Sequence, residues 1–142
     1  MVSFEKNVLI DSSPETVFAY VSDPSKMPEW ISSVVEVRDI IGTGEGQQYD
    51  WTFQAVGLLL RGQSTVVESV LNELAVHQSI GSVSSVTTLL VEPRERGTSL
   101  TFKAEYRIPI PVLGRLAEHL IEKRDSRLFD LALANVKEMM ER

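Results

Sequence analysis

The stretch Val112–Arg142, VLGRLAEHLIEKRDSRLFDLALANVKEMMER, decides the fold. It holds no proline and one glycine, Gly114, so little in it opposes a helix. At about 1.5 Å per residue that helix is roughly 45 Å long. Wound at about 100° per residue, it gathers Leu113, Leu116, Ala117, Leu120, Ile121, Leu128, Leu131, Ala132 and Met139 onto one broad stripe. Two polar residues, Arg124 and Asn135, fall inside that stripe. A long helix with an apolar face must press it against a large surface, and the rest of the chain has the pattern of a sheet.

Working back from the helix, Pro109-Ile110-Pro111 is a stiff link that neither a strand nor a helix can continue through. Before it, Leu100, Phe102, Ala104 and Tyr106 alternate with Thr101, Lys103, Glu105 and Arg107. Tyr49, Trp51, Phe53 and Ala55 alternate in the same way with Asp50, Thr52 and Gln54. Further strands are predicted over Val2 to Ile10, from Val34, over Arg61 to Leu71, from Leu74 to Ile80 and over Val83 to Glu92. On the fifth of the seven strands, the alternation places Leu74, Val76, Gln78 and Ile80 on one face and His77 on the other. Turns are marked by Gly42-Thr43-Gly44-Glu45-Gly46, Gly57, Asn72-Glu73, Gly81-Ser82 and Pro93 to Gly97. The triple-glycine stretch has the spacing of a phosphate cradle, but a strand follows it and no Lys-Ser/Thr does, so it reads as a hairpin turn.

Between the first two strands lie two short helices. Ser12 with Glu15 has capping-box spacing, and Ser13 before Pro14 has the spacing of an N-cap and first turn; both registers start a helix here. Asp23-Pro24 starts the second by the same device, and it runs to Trp30. Strands joined by short turns pair antiparallel. The expectation is therefore an α+β single domain over residues 1–142, its seven-stranded curved antiparallel sheet wrapped around the C-terminal helix.

The 142 residues carry a net charge of −6, which disfavours nucleic acid and anionic membrane surfaces as partners. The chain has no cysteine, so disulfides and thiolate chemistry are excluded. Its two histidines, His77 and His119, are predicted to face away from the sheet–helix interior, so neither a metal site nor any other cofactor is expected. MVSFEKNVLID lacks the basic start and apolar core of a signal peptide, and the apolar run Val56–Leu60 is too short to span a bilayer. A cytoplasmic protein without stable membrane insertion is the expectation. Leu58, Leu59 and Leu60 read as an apolar turn that either meets the short helices or forms a greasy portal or dimer patch, and nothing else indicates a homodimer.

Ser-Pro-Glu-Thr-Val-Phe opening the first helix, Asp23-Pro24 through Pro28-Glu29-Trp30, and Gly97-Thr98 entering the last strand together resemble the START-like helix-grip (SRPBCC) superfamily. Within it the chain is most similar to the polyketide cyclase/dehydrase and lipid-transfer group. The resemblance covers essentially the whole chain and implies an apolar cavity between sheet and long helix. It also implies a small hydrophobic partner such as a lipid or aromatic polyketide. Some members of the superfamily carry their ligand, and others cyclise or dehydrate it.

The candidate ligand contacts are Trp30, which matches the family's recurrent tryptophan, with Tyr49, Trp51, Phe53, Phe102 and Tyr106 from the strands. Gln78, Ser85 and Thr87 would add hydrogen bonds, and Leu120 and Leu128 would line the helix side. The bland alternative for the aromatics is an ordinary core. Arg124 either holds a carboxylate, phosphate or carbonyl of the ligand, or pairs with a sheet carboxylate such as Glu68. No catalytic constellation stands out, and binding without catalysis is the first reading. A cyclase- or dehydratase-like enzyme is the alternative.

Overall fold

The computed structural model describes residues 2–55, 57–107 and 114–142, with side chains of the last helix from His119 onward. Seven strands form one antiparallel sheet: β1 (Val2–Ile10), β2 (Val34–Ile41), β3 (Gln48–Ala55), β4 (Leu58–Val70), β5 (Leu74–Gly81), β6 (Ser84–Arg94) and β7 (Gly97–Arg107). Their order across the sheet is β1-β7-β6-β5-β4-β3-β2, so every neighbour except β1–β7 is a hairpin partner. Between β1 and β2 stand α1 (Pro14–Val21), a 3-10 turn (Pro24–Lys26) and α2 (Met27–Trp30); α3 (Gly114–Met140) closes the chain. This is the predicted α+β helix-grip architecture.

Local chemistry explains the element ends. Of the two possible caps for α1, Ser13 prevails: its hydroxyl accepts the Thr16 amide and Pro14 fills the first helical position. Asp23 accepts the Ser25 amide and starts the 3-10 turn that runs into α2. The Leu58–Leu60 stretch is not a turn. The reversal comes earlier, at Gly57 with φ +75°, so Leu58, Leu59 and Leu60 pair in register with Ala55, Gln54 and Phe53. β6 likewise runs on through Pro93 to Arg94 before the chain turns.

Cross-strand partners share a face, so the registers define the inner side of the sheet rung by rung. One rung is Val8, Leu100 and Val91; the next is Lys6, Phe102, Leu89 and Ala75. Phe4, Ala104, Thr87, His77 and Val66 follow, and then Val2, Tyr106, Ser85, Ser79, Ser64 and Tyr49. The core sits on the first two rungs. There Leu100, Val91, Leu89 and Phe102 pack against Val17, Phe18 and Val21 of α1, Trp30 of α2, and Ala132, Leu133 and Val136 of α3. Phe102 meets Trp30 edge-on at 6.1 Å and Phe129 at 5.1 Å. Lys6 ties β1 to the helix through Ser126 (2.9 Å) and Asp130 (3.2 Å).

The helix is rotated relative to the predicted stripe. Its packed positions are Phe129, Ala132, Leu133, Val136 and Met140, at the spacing i, i+3, i+4, i+7 and i+11. Leu120 and Leu131 point outward at 59% and 49% exposure, contrary to expectation. Asn135 lies beside the packed row, where its amide donates to the Trp30 carbonyl (3.2 Å) and holds α2 against α3. The predicted link Pro109-Ile110-Pro111 and Leu113 lie outside the described residues, as do the side chains of Leu116 and Ala117. Among the described residues no helix is long and apolar enough to cross a membrane.

Candidate functional site

Beyond the apolar rungs, the inner face changes character. The rung from Tyr106 through Ser85, Ser79 and Ser64 to Tyr49 is hydroxyl-bearing across five strands, and Thr87 and His77 stand directly beside it. Tyr49, Ser64, Ser79 and His77 are all buried. Such a run survives inside a protein only if its members satisfy one another. Ser79 and Ser64 share a short hydrogen bond. The Tyr49 hydroxyl lies 2.8 Å from His77 Nδ1, and the two rings meet edge-on at 5.8 Å. Burial pushes the Tyr49 phenol up to about 12, and the neighbouring Ser64 hydroxyl opposes that shift. Burial also lowers His77 from 6.5 to about 4, so its imidazole is neutral at physiological pH.

The far side of this region is aromatic. Trp51 and Phe53 stack at 4.6 Å. Trp51 lies flat on the sheet because its cross-strand partner is Gly62: a Cβ at Gly62 would collide with the six-membered ring of the indole and with the Ile80 carbonyl. At the helix end of the hydroxyl rung, Tyr106 donates a short hydrogen bond to Asp125 of α3. Burial, followed by that bond, raises the Tyr106 phenol, and burial raises the Asp125 carboxyl.

Buried polar atoms are normally partnered, yet His77 Nε2, Trp51 Nε1 and Trp30 Nε1 have no hydrogen-bond partner among the described residues. Two of the three belong to this region, and Trp30 belongs to the adjoining apolar core.

Tyr49, Trp51, Phe53, Thr87 and Tyr106, all expected on the inner face, are there. Phe102 and Trp30 are also inside, within the tightly packed core. Leu128 is half-buried on α3. Three expected contacts are elsewhere. Gln78 pairs with Val86 on the outer face, because Ser85 and Thr87, its neighbours across the hairpin, pair instead with Ser79 and His77. Leu120 is exposed. Arg124 is exposed too, one position away from the helix face that meets the sheet, and Asp125 occupies that face. Its suggested partner Glu68 is also exposed, at a β-bulge between Val66 and Glu68.

Sequence reasoning missed His77, Ser64, Ser79 and Asp125. No local signal announced His77: a two-residue turn at Gly81-Ser82 would pair Gln78 with Ser85, whereas the observed reversal is centred on Ser82 and pairs His77 with Thr87. Among the described residues no three His, Asp or Glu side chains cluster as a metal site. The neutral hydroxyls, phenol and imidazole can instead exchange hydrogen bonds with an organic molecule lying on the sheet.

A family model described as polyketide cyclase / dehydrase and lipid transport matches residues 1–141. No curated protein matches the chain. Among solved structures, TTHA0849 from Thermus thermophilus is similar at 20% identity and TM-score 0.80, covering 96% of this chain and 94% of that one. KanY is similar at 24% identity and TM-score 0.80, over 99% and 98% of the two chains. The di-domain ARO/CYC StfQ from the steffimycin biosynthetic pathway is 19% identical with TM-score 0.79, over 99% of this chain and 50% of its own. At these identities the likeness is one of fold.

Proposed function

This chain belongs to the polyketide cyclase / dehydrase and lipid transport family, and from that premise we propose that it binds a small hydrophobic molecule on the inner face of its sheet, as a carrier or sequestering protein. One observation carries the reading. A buried polar and aromatic region on β3 to β6 holds Trp51 Nε1 and His77 Nε2 without partners among the described residues, an arrangement that costs stability unless something else meets those atoms. Apolar contact with Trp51 and Phe53 would supply most of the affinity, and the polar rung its orientation. A cytoplasmic setting belongs to the same proposal, supported by the cysteine-free composition. Denaturing mass spectrometry of organic extracts from the purified protein should reveal a co-purifying hydrophobic compound. If none appears, and a panel of environment-sensitive hydrophobic dyes also fails to bind, the reading is lost.

The Tyr49–His77 pair favours a second reading, a cyclase- or dehydratase-like enzyme in which the phenol polarises a ligand carbonyl. Turnover of an oligoketide thioester by the wild type, abolished in a folded Tyr49→Phe variant, would support it. Turnover unchanged in that variant would remove Tyr49 from the chemistry.

A further inference from the structure

Hydrogen-bond direction can be followed along the polar rung. Between a neutral phenol and a neutral imidazole, the phenol O–H is the stronger donor and the bare ring nitrogen the stronger acceptor. The Tyr49 hydroxyl hydrogen is therefore directed to His77 Nδ1, 2.8 Å away. A neutral imidazole carries one N–H, so with Nδ1 accepting, the hydrogen resides on Nε2. That Nε2–H is buried and unpartnered. The indole N–H of Trp51 is a donor by its chemistry, and it too is buried and unpartnered. Both unpartnered atoms in this region are therefore donors.

The charge around the region discriminates between acceptors. The inner-face residues of β3 to β6 here are Tyr49, Trp51, Ser64, Ser79, His77 and Thr87, none of them charged with His77 neutral. Among the described residues, the charged groups turned towards the inner face are Lys6, held by Ser126 and Asp130, and Asp125, held by Tyr106, while Arg124 is turned outward. A carboxylate or phosphate brought here would be desolvated with no free counter-ion among the described residues, whereas a neutral acceptor would meet the two donors at little cost.

We propose that the ligand is an uncharged, carbonyl-bearing hydrophobic molecule such as a ketone, ester or quinone, and that His77 Nε2–H is the donor that selects it over the corresponding acid. This rests on the binding reading above and adds a chemical class and a specificity-determining residue.

Equilibrium dialysis with three ring-matched probes at pH 7.5 tests it: naphthalene, 2-acetylnaphthalene and 2-naphthoate. The expected order is the ketone tightest, about tenfold above naphthalene, with the carboxylate weakest. In His77→Leu the advantage of the ketone over naphthalene should fall several-fold, to what the Trp51 indole N–H alone supplies, while naphthalene still binds. Should His77→Leu fail to fold, ¹⁵N NMR of the wild type replaces it. The ketone should then shift the His77 Nε2 resonance as a protonated nitrogen gaining an acceptor, and an unmoved resonance overturns the role of His77. Naphthoate binding as tightly as the ketone overturns the neutral class, and a ketone advantage undiminished in His77→Leu overturns His77 as its source. If no probe binds the wild type at all, it is the underlying binding reading that fails.

Discussion

At one end of the inner face, Leu100, Val91, Val17, Trp30 and Val136 interlock beneath α1 and the C-terminal half of α3, with hardly a polar side chain among them. At the other, Tyr49, Ser64, Ser79 and His77 are buried about as deeply, yet every one of them is polar. The first region can hold together through dispersion and water exclusion alone. The second depends on its hydrogen bonds, because each buried polar atom left without a partner costs about 1–3 kcal/mol. One sheet therefore carries an end that stabilises the fold and an end that trades stability for polar groups it does not fully satisfy.

That contrast can be broken first at the apolar end. Leu100→Ala removes a fully buried side chain and should cost about 3 kcal/mol, read by urea denaturation. At the polar end the corresponding lever is pH. His77 titrates near 6.5 when unfolded and about 4 when folded, so as pH falls through that interval the unfolded chain takes up the proton first. Stability from this group is intact above the unfolded value and declines towards pH 4, by about 3 kcal/mol in all. His77→Gln should flatten this part of the stability–pH curve. A curve no flatter than wild type would show that His77 is not buried as described. Gly62→Ala should cost about 2 kcal/mol by driving Trp51 off the sheet, with a changed near-UV circular dichroism spectrum. The smallest effect is expected at Arg124→Ala. As an exposed side chain it should move stability by less than about 0.5 kcal/mol, and ligand affinity not at all.

The same contrast explains what could be read from the sequence. Strand count, hairpin order and the two short helices were legible because turn glycines, caps and β3 and β7 alternation obey local rules. β5 misled because its alternation is inverted: Ile80, an apolar residue, stands outside at 61% exposure while His77 and Ser79 are inside. The rule that the apolar face is the core face holds where packing decides, and it fails where a strand serves a polar site. In α3 the apolar residues spread over more than one face, so periodicity left the rotation undetermined by about one position. Tertiary contact selected the Phe129–Leu133–Val136 row and turned Asp125, not Arg124, towards Tyr106. No local pattern announces that Tyr106–Asp125 pair, since its partners come from different elements.

The chain has two tryptophans, and they are divided between the two regions: Trp30 stands against Phe102, and Trp51 lies over Gly62 beside Phe53. Each region thus contains its own intrinsic fluorophore. Trp30→Phe leaves an emitter placed to report the proposed ligand at the polar end, and Trp51→Phe leaves one that reports melting of the apolar end. With two such single-tryptophan proteins, ligand arrival and loss of the core become separate optical signals from an unlabelled chain.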